Sequence, residues 1–146
     1  ARELVYGVVR QRELLDWLAM RKMNKRPKPD MMVLLRMGLY QLVFLDRVPP
    51  HAACHETVQL CKRVGLSSQS GFLNAVLRGY EREANETGAL IERLREEDPA
   101  TGWSHPKWLY DRWVSCFGEA NATRLMEWNN QPSANFARAN LLATDA

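Results

Sequence analysis

The sequence is poor in the residues that build disulfide frameworks and metal centres, with only three cysteines and three histidines among 146 residues. The cysteines are spaced apart, which argues against a disulfide framework and favours a reducing compartment. Neither a glycine-rich phosphate loop nor a dinucleotide-binding fingerprint is present in the sequence. The residues by themselves therefore show no catalytic constellation.

A long apolar run of the kind that spans a membrane is also missing, and no segment has the pattern of a signal peptide. The chain is 46% hydrophobic and 25% charged, which is ordinary for a soluble globular protein. The net charge of +3 says little about partners by itself. We expect a cytoplasmic protein without a membrane partner, long enough for one domain and the edge of a second.

Residues 30–50 predict the central helix of an all-α domain. Asp30 can cap the first turn through its carboxylate, and the two prolines at 49 and 50 can end the helix. From residue 31 to residue 45 the only charged side chain is Arg36. A helix that is apolar on nearly all sides is buried on most of them. Gly38 inside this helix indicates close packing against a neighbouring backbone.

The remaining helices are predicted from apolar spacing and from glycine and proline stops. They cover residues 2–20 as one or two amphipathic helices, 51–64, 68–80, 81–98 with a break near 85–88, 106–117, and a short helix after Gly118. In 68–80, Phe72, Leu73, Val76, Leu77 and Tyr80 form an apolar face, and Asn74 is placed to bond a backbone group. Cys116 and Phe117 are predicted to face the core.

Residues 21–28 form a predicted exposed loop with five cations and no acidic residue. Two interpretations stay open: a solubilising connection, or a patch that contacts phosphates. Such contacts position a nucleic acid without reading its sequence. The candidate RNA-binding residues are Arg21, Lys22, Lys25, Arg26 and Lys28, with Arg10 and Arg12 as neighbours.

Four other patterns have a functional and a structural interpretation. A zinc site at His51, Cys54, His55 and Cys61 is disfavoured, because the two cysteines share an apolar face with Val58 and the histidines lie to one side. The motif HExxH is incomplete, since Gln59 stands at its second histidine.

A thiol nucleophile at Cys116 would need a histidine, and His105 is the nearest in sequence. A core cysteine is the favoured interpretation. Trp103 and Trp108 are candidates for stacking on bases, whereas Trp17 and Trp113 are predicted to anchor the core.

Several runs in the sequence together resemble one known family. They are ARELVYGVVR at 1–10, LDWL at 15–18, LRMGLYQL at 35–42, DRVPPHAA at 46–53, GFLNAVLR at 71–78, SHPKWL at 104–109, RW at 112–113 and NNQP at 129–132. In this order and spacing they resemble the N-terminal part of the bacterial ribosomal RNA cytosine-C5 methyltransferases called RsmB, Sun or Fmu. That part is itself similar to the transcription antitermination factor NusB.

The resemblance implies an all-α NusB-like RNA-binding domain over residues 1–98 and a helical linker over 99–130. Residues 131–146 would then hold the first strand of a methyltransferase subdomain, where Arg138 and Asn140 match the family's Arg-x-Asn. The family normally has one or two further helices before the position of Ala1. The resemblance therefore implies a fragment without its N-terminal helix.

The resemblance also implies a function for the whole enzyme, which would transfer a methyl group from S-adenosylmethionine to a cytosine of small-subunit ribosomal RNA. The cofactor loop and the two catalytic cysteines of the family lie beyond Ala146, and Cys54, Cys61 and Cys116 do not correspond to them. This chain would have no cofactor or catalytic residue, and its partners would be ribosomal RNA and its own C-terminal catalytic domain.

Two alternatives stay open beside this interpretation. One is a stand-alone NusB-type antitermination factor, against which the sequence from Ser104 onward argues. The other is a purely structural domain that docks on the catalytic domain.

Overall fold

A computed structural model describes residues 2–131, which fold as nine α-helices and one short 3₁₀ helix, with no strand in that range. The helices are α1 Arg2–Arg10, α2 Arg12–Arg21, α3 Pro29–Phe44, α4 Pro50–Arg63, α5 Ser70–Arg82, α6 Ala84–Glu97, α7 Pro99–Gly102, α8 Lys107–Phe117 and α9 Glu119–Asn129, and the 3₁₀ helix is Ser67–Gln69. The predicted all-α fold class is confirmed. The predicted strand with Arg138 and Asn140 falls outside the described residues.

Helix α3 is the centre of the bundle, as the sequence predicts, because it packs against α1, α2, α4, α5 and α6. Its buried side chains extend from Met31 to Tyr40 and join those of α2, α4, α5 and α6 in one hydrophobic core. Burial of this much apolar surface is the main favourable contribution to folding. The core therefore holds α2 and the loop after it in a defined place on the bundle.

The predicted ends of α3 are wrong at both sides. The helix begins at Pro29, and Asp30 is exposed in the first turn without a capping hydrogen bond from its side chain. Proline is well suited to the first helical position, since its missing N–H has no partner there in any case. The helix ends at Phe44, and Pro50 begins α4 for the same reason.

Two other features of the core differ from their predictions. On α5, Leu73, Val76 and Leu77 are buried, but Phe72 is 41% exposed and Asn74 is exposed. The predicted backbone contact of Asn74 is therefore wrong. The predicted break in the 81–98 helix lies at Glu83, between α5 and α6, and not near 85–88, which α6 covers.

Gly38 lets another helix pack closely against α3, as predicted. The group that packs against it is the side chain of Leu77, whereas the prediction was a neighbouring backbone. A Cβ atom at Gly38 would lie 2.7 Å from two methyl carbons of Leu77. Helix α5 can therefore settle its buried Leu77 directly onto the backbone of α3. Interiors are packed tightly enough that such a gap cannot absorb an added methyl group without movement.

The turn after α7 supplies a cap to a helix that is distant in sequence. Gln11, at the N-cap position of α2, makes no capping hydrogen bond with its side chain. The backbone N–H of Glu13 instead donates to Oγ of Ser104 over 2.9 Å. An N-terminal N–H of a helix needs such an acceptor, so Ser104 ties the turn after α7 to the start of α2.

Helices α8 and α9 pack mainly on each other. Ala122 and Met126 of α9 are buried, but α8 has no fully buried residue, and Cys116 and Phe117 are exposed. The predicted inward orientation of those two residues is therefore wrong. The pair is attached to the bundle through α7 and through Asn130, whose Nδ2 donates to the carbonyl of Trp103 over 2.7 Å. None of the helices within residues 2–131 has the length and hydropathy to cross a membrane.

Candidate nucleic-acid interface

We call residues 21–28 the basic segment. It begins in the last turn of α2 and continues through the turn before α3. Arg21 is exposed and its guanidinium lies over the ring of Trp17, 5.0 Å from the centroid. Lys25 and Lys28 are exposed and make no ion pair with any residue between 2 and 131. These three cations are therefore available to an anionic partner.

The other two cations of the segment are paired within the protein. Nζ of Lys22 lies 2.6 Å from Oε2 of Glu83 and 4.8 Å from the centroid of the Tyr80 ring. Nη2 of Arg26 lies 2.5 Å from Oδ2 of Asp16. A paired cation has less net charge to offer a phosphate, so the segment is less uniformly basic than its sequence indicates.

Asp16 also holds Arg36, which the sequence analysis did not place in the site. Nε and Nη2 of Arg36 donate to the two carboxylate oxygens of Asp16 over 2.6 Å and 2.9 Å. Burial opposes ionisation of Asp16, but hydrogen bonds and charge from Arg36 and Arg26 outweigh it and lower the pKa of Asp16. The signal in the sequence was a single charged residue inside an apolar helix, which requires a partner when buried.

Arg10 ends α1 and is half-buried, whereas Arg12 is exposed at the start of α2. Arg12 pairs with Glu13 over 3.1 Å at the surface and lines a groove between α1 and α3 together with Arg36. Arg12 and Arg21 are nine residues apart on α2, and at about 100° per residue they point to opposite sides of that helix. The structure therefore separates Arg12 from Arg21, and Arg26 lies on the Arg12 side because it pairs with Asp16, one turn after Arg12.

A cavity between the end of α2 and the first half of α6 was not predicted from the sequence. Its volume is about 420 Å³. Its lining consists of Arg21, Lys22, Tyr80, Glu83, Glu86, Thr87, Ala89, Leu90 and Arg93. We call it the α2–α6 cavity. Arg93 is not among the predicted RNA-binding residues, since nothing in the pattern of α6 indicates that it lines the same cavity as Arg21.

The cysteines and histidines do not converge on a site. Cys54 and Cys61 are buried in α4, where desolvation raises the pKa of both thiols, whereas His51 and His55 are exposed. The predicted apolar face of Cys54 and Cys61 is thereby confirmed. Within residues 2–131 no three His, Cys, Asp or Glu side chains are placed to hold a metal ion together. Cys116 is exposed, not in the core as favoured above.

The tryptophans differ in their availability for stacking. Trp108 is 66% exposed. Trp103 is half-buried, and the guanidinium of Arg95 lies 4.1 Å from its ring centroid, so one face is occupied. Trp113 is half-buried and meets the His105 ring edge to face at 5.5 Å. Trp108 is therefore the more accessible of the two predicted stacking residues.

Comparison with known proteins gives two kinds of match. The family model described as the NusB family matches residues 1–82. Proteins named "Probable ribosomal RNA small subunit methyltransferase B" from Bacillus subtilis and from Synechocystis are 34% and 39% identical over 98% and 97% of this chain. "Ribosomal RNA small subunit methyltransferase B" of Pseudomonas putida is 41% identical over 73% of it.

The chain is shorter than these relatives. It spans 32% of the length of the Bacillus and Synechocystis proteins, and 24% of the Pseudomonas protein is covered by the match.

Proposed function

The chain belongs to the NusB family, and from this premise we propose that it is the RNA-binding domain of an enzyme that methylates a cytosine of small-subunit ribosomal RNA. One observation carries the proposal. The NusB match ends at residue 82, but similarity to proteins named ribosomal RNA small subunit methyltransferase B extends over 97–98% of the chain. A stand-alone NusB-type factor would not account for the similarity beyond the NusB-like part.

The domain would bind RNA chiefly through phosphates. Arg21, Lys25 and Lys28 supply exposed charge, whereas Lys22 and Arg26 are shared with Glu83 and Asp16. Arg12, on the other side of α2 from Arg21, and Arg10, at the end of α1, would contact a second stretch of backbone. Contacts of this kind set the position of the RNA and leave base choice to other groups.

The chemistry of the whole enzyme would lie outside the described residues. We propose that the full protein attacks cytosine with a cysteine thiolate and takes the methyl group from S-adenosylmethionine. Residues 2–131 do not fit that cofactor, because they contain no strand and no glycine-rich turn to hold it. The buried thiols of Cys54 and Cys61, with raised pKa values, are unsuited to act as thiolates. A ribosomal RNA partner would place the protein in the cytoplasm.

A second role is favoured by the exposed aromatic residues of α8 and α9. Trp108, Phe117 and Trp128 are 66%, 56% and 69% exposed. Trp108 and Phe117 are nine residues apart on α8 and at about 100° per residue lie on opposite sides of that helix, so they do not form one patch. Each of the three side chains still leaves a large apolar surface open to water, as residues that contact another protein do. We propose that this helix pair docks on the catalytic domain of the same protein, while the basic segment faces the RNA.

The proposal predicts that the chain binds a helix of small-subunit ribosomal RNA more tightly than an unrelated RNA of equal length. Titration at several salt concentrations measures both affinities. A preference for the ribosomal helix that persists as salt rises is the expected result. Equal affinities with equal salt dependence would contradict a role in choosing the RNA and would favour docking alone.

Replacing Arg21, Lys25 and Lys28 together by serine should weaken RNA binding and flatten its salt dependence. Each lost phosphate contact reduces the slope of log K against log salt by roughly 0.7–0.9, so the slope should fall by about 2–3 in total. Lys22 and Arg26 are kept, because their removal would also break ion pairs to Glu83 and Asp16.

The matched control removes three exposed cations elsewhere on the surface. These are Arg47, Lys62 and Arg63, which are exposed and make no ion pair within residues 2–131. The net charge of the two triple variants is the same. If the control lowers the slope as much as the variant of the basic segment does, RNA responds to total charge and the assignment of these contacts is wrong.

A further inference from the structure

The α2–α6 cavity has the size of a ligand site and a lining that is mostly charged and polar. A volume of about 420 Å³ lies within the range of roughly 300–1,000 Å³ that is typical of small-molecule pockets. Its wall combines cations from α2 and α6 with carboxylates from the beginning of α6 and with the apolar side chains of Ala89 and Leu90. A ligand for this cavity would carry an anionic group, hydrogen-bond donors and a flat apolar surface.

Arg21 and Arg93 supply the anion-binding part. Neither guanidinium has a carboxylate within 4.0 Å in the described part of the chain. Guanidinium groups match the oxygens of a phosphate in a bidentate arrangement. Both residues line the cavity, so it offers two cations to a phosphate, and the guanidinium of Arg21 also lies over the Trp17 ring.

Lys22 also lines the cavity, but its charge is already paired within the protein, unlike those of Arg21 and Arg93. Its ammonium is held between the Glu83 carboxylate at 2.6 Å and the ring of Tyr80. Tyr80 is itself fixed, because its hydroxyl donates to the carbonyl of Leu18 over 2.5 Å. One wall of the cavity, formed by Lys22, Glu83 and Tyr80, is thus already ordered, and ordering it costs no further entropy on binding.

Glu86 supplies the acceptor. It lies in the first turn of α6, is exposed, and makes no ion pair with the described residues. A carboxylate accepts two parallel N–H bonds. The Watson–Crick edge of guanine presents two adjacent N–H donors, while uracil presents one N–H between two carbonyl oxygens that a carboxylate would repel.

We propose that the α2–α6 cavity binds one unpaired guanine nucleotide, with its phosphate on Arg21 and Arg93 and its base edge donating to Glu86. The inference rests on the proposed function, because it takes the nucleotide from a bound RNA. The cavity would select one base, whereas the contacts proposed for the basic segment are made to phosphates. The apolar side of the base would lie against Leu90.

The experiment measures binding of the 146-residue chain to single-stranded pentanucleotides by fluorescence anisotropy. Four RNAs are uridine pentamers in which the central base is guanine, adenine, cytosine or uracil. The guanine RNA should bind at least about fivefold more tightly than the uracil RNA, the lower end of what a bidentate base contact discriminates. Equal binding of the four RNAs would overturn the proposal.

Two variants and two matched controls locate the effect. Glu86→Gln should remove the preference for guanine, and Arg93→Gln should weaken binding of all four RNAs while leaving their order unchanged. Glu56→Gln and Arg63→Gln change the same charges on α4, where both side chains are exposed, and should alter neither property. Thermal unfolding checks that each variant is folded. A guanine preference that survives Glu86→Gln overturns the proposal.

Free guanosine 5′-monophosphate separates the two possible sources of the nucleotide. Weak competition with the guanine pentamer, absent for the cytidine nucleotide, supports the cavity as part of an RNA site. Competition as strong as that of the RNA itself would overturn the assignment to RNA. The two proposals can fail separately. If only the cavity proposal is wrong, the chain still prefers the ribosomal RNA helix to the unrelated RNA but binds the four pentamers equally. If the proposed function is wrong, the preference for the ribosomal helix is lost as well.

Discussion

Replacing Gly7 by alanine should lower the free energy of unfolding by about 1–3 kcal/mol, as expected for an added methyl group in a packed interior. A Cβ atom at this position would lie 2.0 Å from Cζ and 2.1 Å from the hydroxyl oxygen of Tyr40. Tyr40 has little room to move, because it is buried, stacks on Phe44 at 5.2 Å and donates to Glu3 over 2.8 Å. Urea denaturation of the chain measures the change.

The matched control for this substitution is Gly88→Ala. Gly88 lies inside α6 and a Cβ atom there would meet no atom within 4 Å. The control should therefore stabilise the protein by about 0.5–1 kcal/mol, since alanine forms helices better than glycine does. In a Tyr40→Ala background the cost of Gly7→Ala should disappear. An undiminished cost in that background would show that the clash with Tyr40 is not its cause.

Replacing Asp16 by asparagine should cost about 2–3 kcal/mol, somewhat below the cost of breaking a fully buried ion pair. The side chains of Asp16 and Arg36 are 14% and 18% exposed, so the variant leaves the Arg36 guanidinium largely out of water without a charged partner. Asp111→Asn is the control. Its pair with Lys107 is 56% and 77% exposed, so water screens the two charges and its loss should cost clearly less stability than that of Asp16.

A double variant tests whether the cost comes from the orphaned charge. Asp16→Leu combined with Arg36→Met removes both members of the pair and should recover much of the stability lost in Asp16→Asn, because no uncompensated charge stays buried. If the double variant is less stable than Asp16→Asn, the explanation by an orphaned charge is wrong. Both free energies come from urea denaturation at neutral pH.

The stability difference between the wild type and Asp16→Asn should depend on pH. The pKa of Asp16 is lowered from 3.8 in the folded protein, because Arg36 and Arg26 outweigh the effect of burial. A carboxylate with a lowered pKa contributes stability above its unfolded pKa and loses it as pH falls through the folded one. The difference should thus be constant above about pH 5 and shrink below pH 3.8.

Local patterns predicted the helical architecture correctly because the periodicity of apolar residues records which face of a helix is buried. The nearly all-apolar α3 had to be central, and Leu73, Val76 and Leu77 had to face inward. Ends of helices were predicted less well. Asp30 and Pro29 compete for the start of α3, and the two signals lie within one residue, so pattern alone does not decide between them.

The exposed positions of Cys116 and Phe117 were missed for a related reason. The apolar residues of α8 have helical spacing, which indicates an amphipathic helix but does not say whether another element covers its face. Only the arrangement of α8 beside α9, with little contact to the bundle, leaves Phe117 56% exposed. The spacing of apolar residues shows which face of a helix is apolar, and only the tertiary structure shows whether another element covers that face.

The sequence by itself determined the all-α class, the central place of α3 and the presence of a basic segment between α2 and α3. It also contained the resemblance that the NusB match and the similarity to ribosomal RNA methyltransferases support. These properties depend on local spacing and composition, which the chain carries regardless of how its helices pack.

Only the tertiary structure decided which charges are available and which are paired. Asp16 meets Arg36 across 20 positions, Lys22 meets Glu83 across 61, and Ser104 caps α2 from 91 residues away. Arg21 and Arg93 line one cavity although they lie on different helices. Contacts between side chains depend on distances across the packed core, and no periodicity along the chain encodes those distances.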